Sequence, residues 1–323
     1  MDNDVAIEVG EMLEKVQGGL FATKSCCYRV PHIIRQLNED AYTPMVVSIG
    51  PLHHGNSRLV FMEGYKQIYC QYFITRSEAS LSDLVSCVQQ LEPQIRACYS
   101  EKIDLTADEL VEVIFIDCCF VIELFLRYQE GTTEDDVILS KDWMDARISH
   151  DLLLLENQVP LFVFENIYNR AFASRLQLHG GRLPSFMWFA ADGYFAYFNK
   201  QQVPSPDASS VAHFTDLLRY FYLPPSHTTR RLRLPLVLGH SASELVEAGV
   251  KFQVTNKSTH GCMLDLEFEH GTLKIPHIEA DDATEIFLRN IVALEQCHYP
   301  KEHYILDYVI FLGHLMKTVR ESL

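Results

Sequence analysis

The sequence predicts a mainly α-helical fold, a multi-helix domain with one small antiparallel β-meander near residues 250–276. Three observations lead there. Apolar residues recur at helical spacing through most of residues 29–223 and again through 281–320. Between 250 and 276 the period drops to two. The stretch DLLLLENQVPLFVF, 151–164, sets four leucines beside the polar trio Glu156, Asn157 and Gln158 and then a second apolar run, a pattern that only a large core can bury.

The elements follow in order. Val5, Val9, Met12, Leu13 and Val16 predict an acidic amphipathic helix at 4–17, within an N-terminal unit 1–25 ahead of a single domain at 26–323. A turn-rich piece, Cys26 to Gly55, holds a short helix from Pro31 and an extended run from Met45 to Ile49. Helices follow at 57–76 and 81–99. Another at 106–127 opens with Thr106-Ala107-Asp108-Glu109, a capping box in which the first and fourth side chains satisfy each other's free N–H groups. After an acidic loop at 129–136, Met144, Ile148, Leu152, Leu155 and Val159 predict a helix running straight into a corner, with Pro160 in the first turn of the next helix. Residues 201–210 read as a linker, 211–223 as a helix, and Arg230, Arg231 and Arg233 as a solvated basic loop. Ser241 and Glu244 box a short helix, the meander turns at Glu269-His270-Gly271, and helices from Asp281 or Asp282 to about His298 and from Tyr304 to Val319 finish the chain.

Composition narrows the class. Of 323 residues 48% are hydrophobic, enough for a large core. Lys and Arg number 27 against 43 Asp and Glu, a formal charge of −16 that repels phosphate backbones and argues against nucleic acid as a partner. Nine cysteines, an odd number without a CxxC, read as buried thiols of a reducing, cytoplasmic setting. Neither a secretory signal nor an apolar run of the ~18 residues that a membrane helix needs is present.

Four residues are candidates for chemistry. Asp117, inside VIFIDCCFVIELF, has its charged form disfavoured by apolar neighbours, as a general acid requires. The alternative is a structural acid bonded to an arginine such as Arg29 or Arg35, to a tyrosine or to a backbone group, since buried ion pairs also perturb titration. His53 and His54 sit in the turn SIGPLHHG and offer acid–base or metal chemistry, but adjacent side chains point apart and no HExxH accompanies them. Glu156 lines the corner, where such residues more often satisfy open helix ends. We favour structural roles for all four, with no catalytic residue, cofactor or metal assigned. No GxxxxGK[ST], GxGxxG or GxSxG signature occurs.

Several stretches carry a resemblance to a known family. They include AYTPMVVSIGPLHHG at 41–55, IFIDCCFVIELF at 114–125, DLLLLENQVPLFVFENIY at 151–168, ASELVEAGVKF at 242–252 and LDLEFEHGTLKIPHIEADDATEIFLRNIVALEQC at 264–297. In this order they resemble the plant family called domain of unknown function 247. The resemblance implies a plant protein, most members of which lack an assigned activity and end in a hydrophobic membrane anchor. It further implies a link of some members to reproductive recognition, notably as pollen-side determinants of grass self-incompatibility. This chain stops at Leu323, where relatives continue to the anchor, so a membrane contact is expected only if an anchor is missing from it. The first expectation is a non-catalytic recognition or regulatory protein acting through an unidentified protein partner. The alternative is a hydrolase-like enzyme using Asp117 with the His53-His54 loop.

Overall fold

The computed structural model of the chain describes residues 25–131, 136–174, 183–224, 240–255, 262–278 and 280–317. In chain order the helices among these residues are α1 (His32–Arg35), α2 (Phe61–Arg76), α3 (Leu81–Ala97), α4 (Ala107–Glu130), α5 (Asp142–Asp151), α6 (Leu161–Ala171), α7 (Phe186–Trp188), α8 (Phe214–Tyr222) and α9 (Ala242–Glu247). Strands β1 (Lys251–Thr255), β2 (Glu267–Glu269) and β3 (Thr272–Pro276) precede α10 (Asp282–His298) and α11 (Tyr304–Leu315). The fold is mainly α, as the periodicity predicts. The helix expected at 4–17, Arg230, Arg231 and Arg233, and the last residues of the final helix lie outside the described residues.

α4 is the central rod. The Thr106–Glu109 box starts it, and Gly131, at φ 68°, ends it in the left-handed conformation that glycine adopts without strain. Positions 117 to 126 are all buried, so this part of α4 is covered on every side. α2, α3 and α6 pack around it. At its far end Phe125 joins Phe186, Tyr194, Phe195 and Phe214 in an aromatic cluster, with Phe164 stacked on Phe186 at 5.1 Å.

Three expectations are corrected. The helix approaching the corner does not run through Val159; α5 stops at Asp151, and residues 152–160 cross the core without regular structure. The polar trio explains this. Asn157 Nδ2 donates to the carbonyl of Asp151 at 2.9 Å, and Gln158 Nε2 donates to those of Leu152 and Leu154 at 2.8 and 2.6 Å. These amides take up carbonyls that a continuing helix would have used, and Pro160 disfavours helical backbone at Val159. Pro160 itself is the residue before α6 rather than inside its first turn.

The sheet is mixed rather than antiparallel, with order β1-β3-β2. β2 and β3 form the expected hairpin, whose turn residues His270 and Gly271 both have positive φ, 50° and 75°. β1 pairs with β3 in parallel, Phe252 beside Leu273 and Val254 beside Ile275. Alternation shows which face is apolar but not which strand is central. That place goes to β3, none of whose residues is fully exposed, while β2, only three residues of EFE, takes an edge.

Candidate functional site

The sequence candidates cluster where the extended segment before α2 lies against the non-helical stretch after α5. An extended strand buried without a neighbouring strand leaves its backbone groups to be satisfied by side chains. Asp151 accepts the N–H groups of Met45, Val46 and Val47 at 3.0, 2.7 and 2.9 Å. Asn157 Oδ1 accepts that of Ile49 at 2.7 Å while its amide donates to the Val47 carbonyl at 3.0 Å. Asp117 Oδ2 accepts that of Gly50 at 2.8 Å, and Lys66 Nζ donates to the Ser48 carbonyl at 3.0 Å. Gln158 Oε1 accepts from the Phe214 N–H at 2.9 Å, closing the open start of α8.

Asp117 is sealed. Its other oxygen takes a 2.6 Å hydrogen bond from Lys66, both side chains being 1% exposed, and Glu63 approaches the same ammonium at 2.8 Å. Burial raises the Asp117 carboxyl above its ordinary value, with the Lys66 charge pulling it back. Burial acts downward on Lys66, but Asp117 and Glu63 outweigh it and leave the ammonium above its ordinary value. Two carboxylates on one lysine make the ion pair the state we assign. The structural acid is therefore bonded to a backbone N–H, one of the partners the sequence allows, while its cation is a lysine rather than Arg29 or Arg35.

Those arginines surround Glu156 instead. Arg35 Nη1 lies 2.9 Å from this fully buried carboxylate, Arg29 Nη1 3.5 Å, and His53 Nε2 3.2 Å, while the Val30 N–H donates to it at 3.0 Å. His53 and Glu156 thus meet, Asp117 is occupied separately, and His54 stays at the exposed surface. Asp151 is pushed up to about 6 by burial, against its three N–H donors.

A surface cleft of about 330 Å³ lies elsewhere, lined by Cys26, Gln94, Cys98, Pro160 and Phe162 among others. It contains none of the four candidates. Its thiol Cys26 is held protonated by its hydrogen bond with Cys27 and by burial, which disfavours a nucleophilic role. Cys118 and Cys119 are fully enclosed, and burial raises both. Among the described residues no three His, Cys, Asp or Glu are grouped so as to hold a metal ion.

Residues 27–321 match the family DUF247, described as a plant protein of unknown function. The chain belongs to this family. In Arabidopsis thaliana, the UPF0481 protein At3g47200 is 31% identical over 332 residues, which cover 91% of this chain and 66% of the relative. The putative UPF0481 protein At3g02645 of the same plant is 33% identical over 137 residues, 42% of this chain and 25% of that protein. The chain therefore spans less than two thirds of either relative's length. No solved structure matches.

The DUF247-like stretches 41–55, 114–125 and 151–168 are the ones that build this buried polar seam. Two of its members are not among the four candidates the sequence offers. Lys66 stands in line with Met62, Tyr69, Cys70 and Phe73 on the buried face of α2, and a lysine on such a face was a legible sign of an internal acid. Asp151 was visible only as the residue before four leucines; nothing local said that its three partners lie 104 to 106 positions earlier.

Proposed function

We infer that this DUF247 protein is a non-catalytic recognition or regulatory protein that works through protein contacts. The observation that carries the reading is the opposite placement of its ionisable and apolar groups. Asp117, Glu156 and Asp151 are enclosed and bonded to this chain's own backbone and cations, which leaves them no substrate to meet. Outside, the three-stranded sheet turns an apolar face to solvent. Val254 is 58% and Phe268 63% exposed, and Phe252 is in register with Phe268 through Leu273. Large apolar side chains grouped on a surface favour a binding role.

β1 is an edge strand, and among the described residues nothing pairs with its outer side. It alternates Phe252 and Val254 with Lys251, Gln253 and Thr255. The partner that fits is a protein contributing an extended segment of alternating apolar and polar residues, with an acid opposite Lys251. Reproductive recognition or development as the setting rests on family membership alone.

The test is cross-linking of the full chain in plant extract, followed by mapping of the linked residues. Links gathered on residues 251–276, and lost in a Val254→Asp/Phe268→Asp variant, support the reading. Links unaffected by that variant place the contact elsewhere, and hydrolysis of a test substrate by the wild type but not by Asp117→Asn would overturn it.

A further inference from the structure

Three thiols meet just beyond the end of α3. The N–H groups of Cys26 and Cys27 both donate to the Cys98 carbonyl at 2.9 Å, and that of Ser100 donates to the Cys27 carbonyl at 3.0 Å, so the two segments run side by side as a short parallel bridge. Cys26 Sγ lies 3.9 Å from Cys27 Sγ, and its thiol is hydrogen-bonded to that of Cys98 as well. Cys26 and Cys98 are 9% and 7% exposed, and both line the cleft of about 330 Å³ beside Pro160 and Phe162.

We propose that Cys26 and Cys98 form an oxidative modification site, joined into a disulfide by a low-molecular-weight disulfide that enters through the cleft. Covalent geometry selects this pair. The path from the Cys26 Cα to its N, across the 2.9 Å hydrogen bond and through the Cys98 carbonyl to its Cα limits the two Cα atoms to ~6.8 Å, and disulfides span ~4.4–6.8 Å. Cys26 and Cys27 are ~3.8 Å apart across their trans peptide, too close for an ordinary bridge. Access selects it too. Cys70 and Cys119 are also hydrogen-bonded thiols, but Cys119 is 0% exposed, out of reach of a reagent while the chain is folded.

The exchange balances with that reagent alone. Cys98 Sγ gives up its proton and attacks one sulfur of R–S–S–R, forming a mixed disulfide and releasing RSH. Cys26 Sγ then displaces the second RS group, which leaves as RSH with the Cys26 proton. The reagent is reduced to two thiols, and the protein pair is oxidised by two electrons. The hydrogen bond with Cys27 and burial hold the Cys26 thiol protonated, so the second step takes hours rather than seconds.

The bond acts on more than two residues. Tyr28 is hydrogen-bonded to His298 at the end of α10 at 2.9 Å, the Val30 N–H donates to Glu156, and the Cys26 carbonyl accepts from His213 at the start of α8. Fixing Cys26 to Cys98 therefore ties the segment that makes these joints to the end of α3.

Peptide mapping of the full chain after incubation with oxidised glutathione, with free thiols then blocked by iodoacetamide, tests this independently of the sheet reading. Trypsin is expected to release peptides 25–29 and 97–102 as one linked species, with fragment ions placing the bond at Cys26. Tm should rise by on the order of 5 °C and return with dithiothreitol. Cys98→Ser should abolish both the link and the rise, and Cys27→Ser should keep both. A folded wild type that gains no link, or keeps only a glutathione adduct, overturns the proposal. So does a bond placed at Cys27 or between other cysteines, and so does a link that fails to raise Tm, because the native geometry then does not accept it.

Discussion

Between the segment 45–50 and the stretch 151–158, Asp117, Asp151, Glu156, Asn157 and Gln158 are all at most 3% exposed, each bonded to backbone or to a cation. On the sheet, Phe252, Val254 and Phe268 face water, and the charged Lys274, Glu267 and Glu269 pair with each other at the surface. The usual placement of polar and apolar residues is inverted in both regions, and the reasons differ. Inside, carboxylates and amides replace the hydrogen bonds that an irregular buried backbone would otherwise lack. Outside, apolar side chains are left uncovered where nothing internal requires them. The seam fixes architecture, and the sheet is available for contact.

The largest effect that this contrast predicts belongs to Lys66. Lys66→Met leaves Asp117 charged and buried without its cation, and a loss of about 3–5 kcal/mol is expected in urea unfolding. Adding Asp117→Asn to the same protein should recover part of that loss, because the uncompensated charge is gone. Equal losses in the single and double variants would mean that the pair contributes packing rather than charge.

His213 gives a pH test of the same interior. It caps α8 through its ring, accepting the Asp216 N–H at 3.3 Å, and its other nitrogen donates to the Cys26 carbonyl at 3.0 Å. Burial lowers its pKa from 6.5 to about 4. Between those values the unfolded chain binds a proton that the folded one refuses, so stability falls as pH falls. The difference of 6.5 and about 4 corresponds to roughly 3 kcal/mol. His213→Asn keeps a capping side chain but removes the titration, so the wild type should lose about that amount relative to it between pH 6.5 and 4. Parallel pH profiles for the two proteins would show that His213 is not held neutral.

Gly50 comes next. It has φ of 75°, and a Cβ there would stand 2.6 Å from the Gln158 carbonyl oxygen. Gly50→Ala is expected to cost about 1–3 kcal/mol from the left-handed backbone alone, with the close approach adding to it. Gly64→Ala, where a Cβ meets nothing and the helix gains propensity, should be neutral or stabilising.

Most helices were legible because periodicity and caps are local: the Thr106 and Ser241 boxes stand where the sequence puts them. The corner was misread because apolar spacing continues from Met144 to Val159 while the hydrogen bonds do not. The side chains that end α5 act through contacts only the folded chain reveals. Sheet order was illegible for a related reason, since alternation carries no direction and β1 reaches β3 past the whole of β2 and its turn. At the candidate site the sequence supplied the acids but not their partners. Asp117 finds Lys66, 51 positions away, and Glu156 finds Arg35 and His53 in the segment before α2.

The smallest expected effect on stability tests the other half of the comparison. Phe268 is 63% exposed at the edge strand β2, opposite Leu273, which is 9% exposed. Phe268→Ser removes little that the fold buries, so chemical denaturation should detect a change within about 0.5 kcal/mol. A loss several times larger would mean that Phe268 covers the sheet's own small core, with Leu273 beneath it. The face would then belong with the seam, as architecture, rather than with the surface. A neutral result, together with loss of cross-linked partner in the same variant, separates the two regions in the way their geometry suggests. One side chain then matters to recognition and hardly at all to folding.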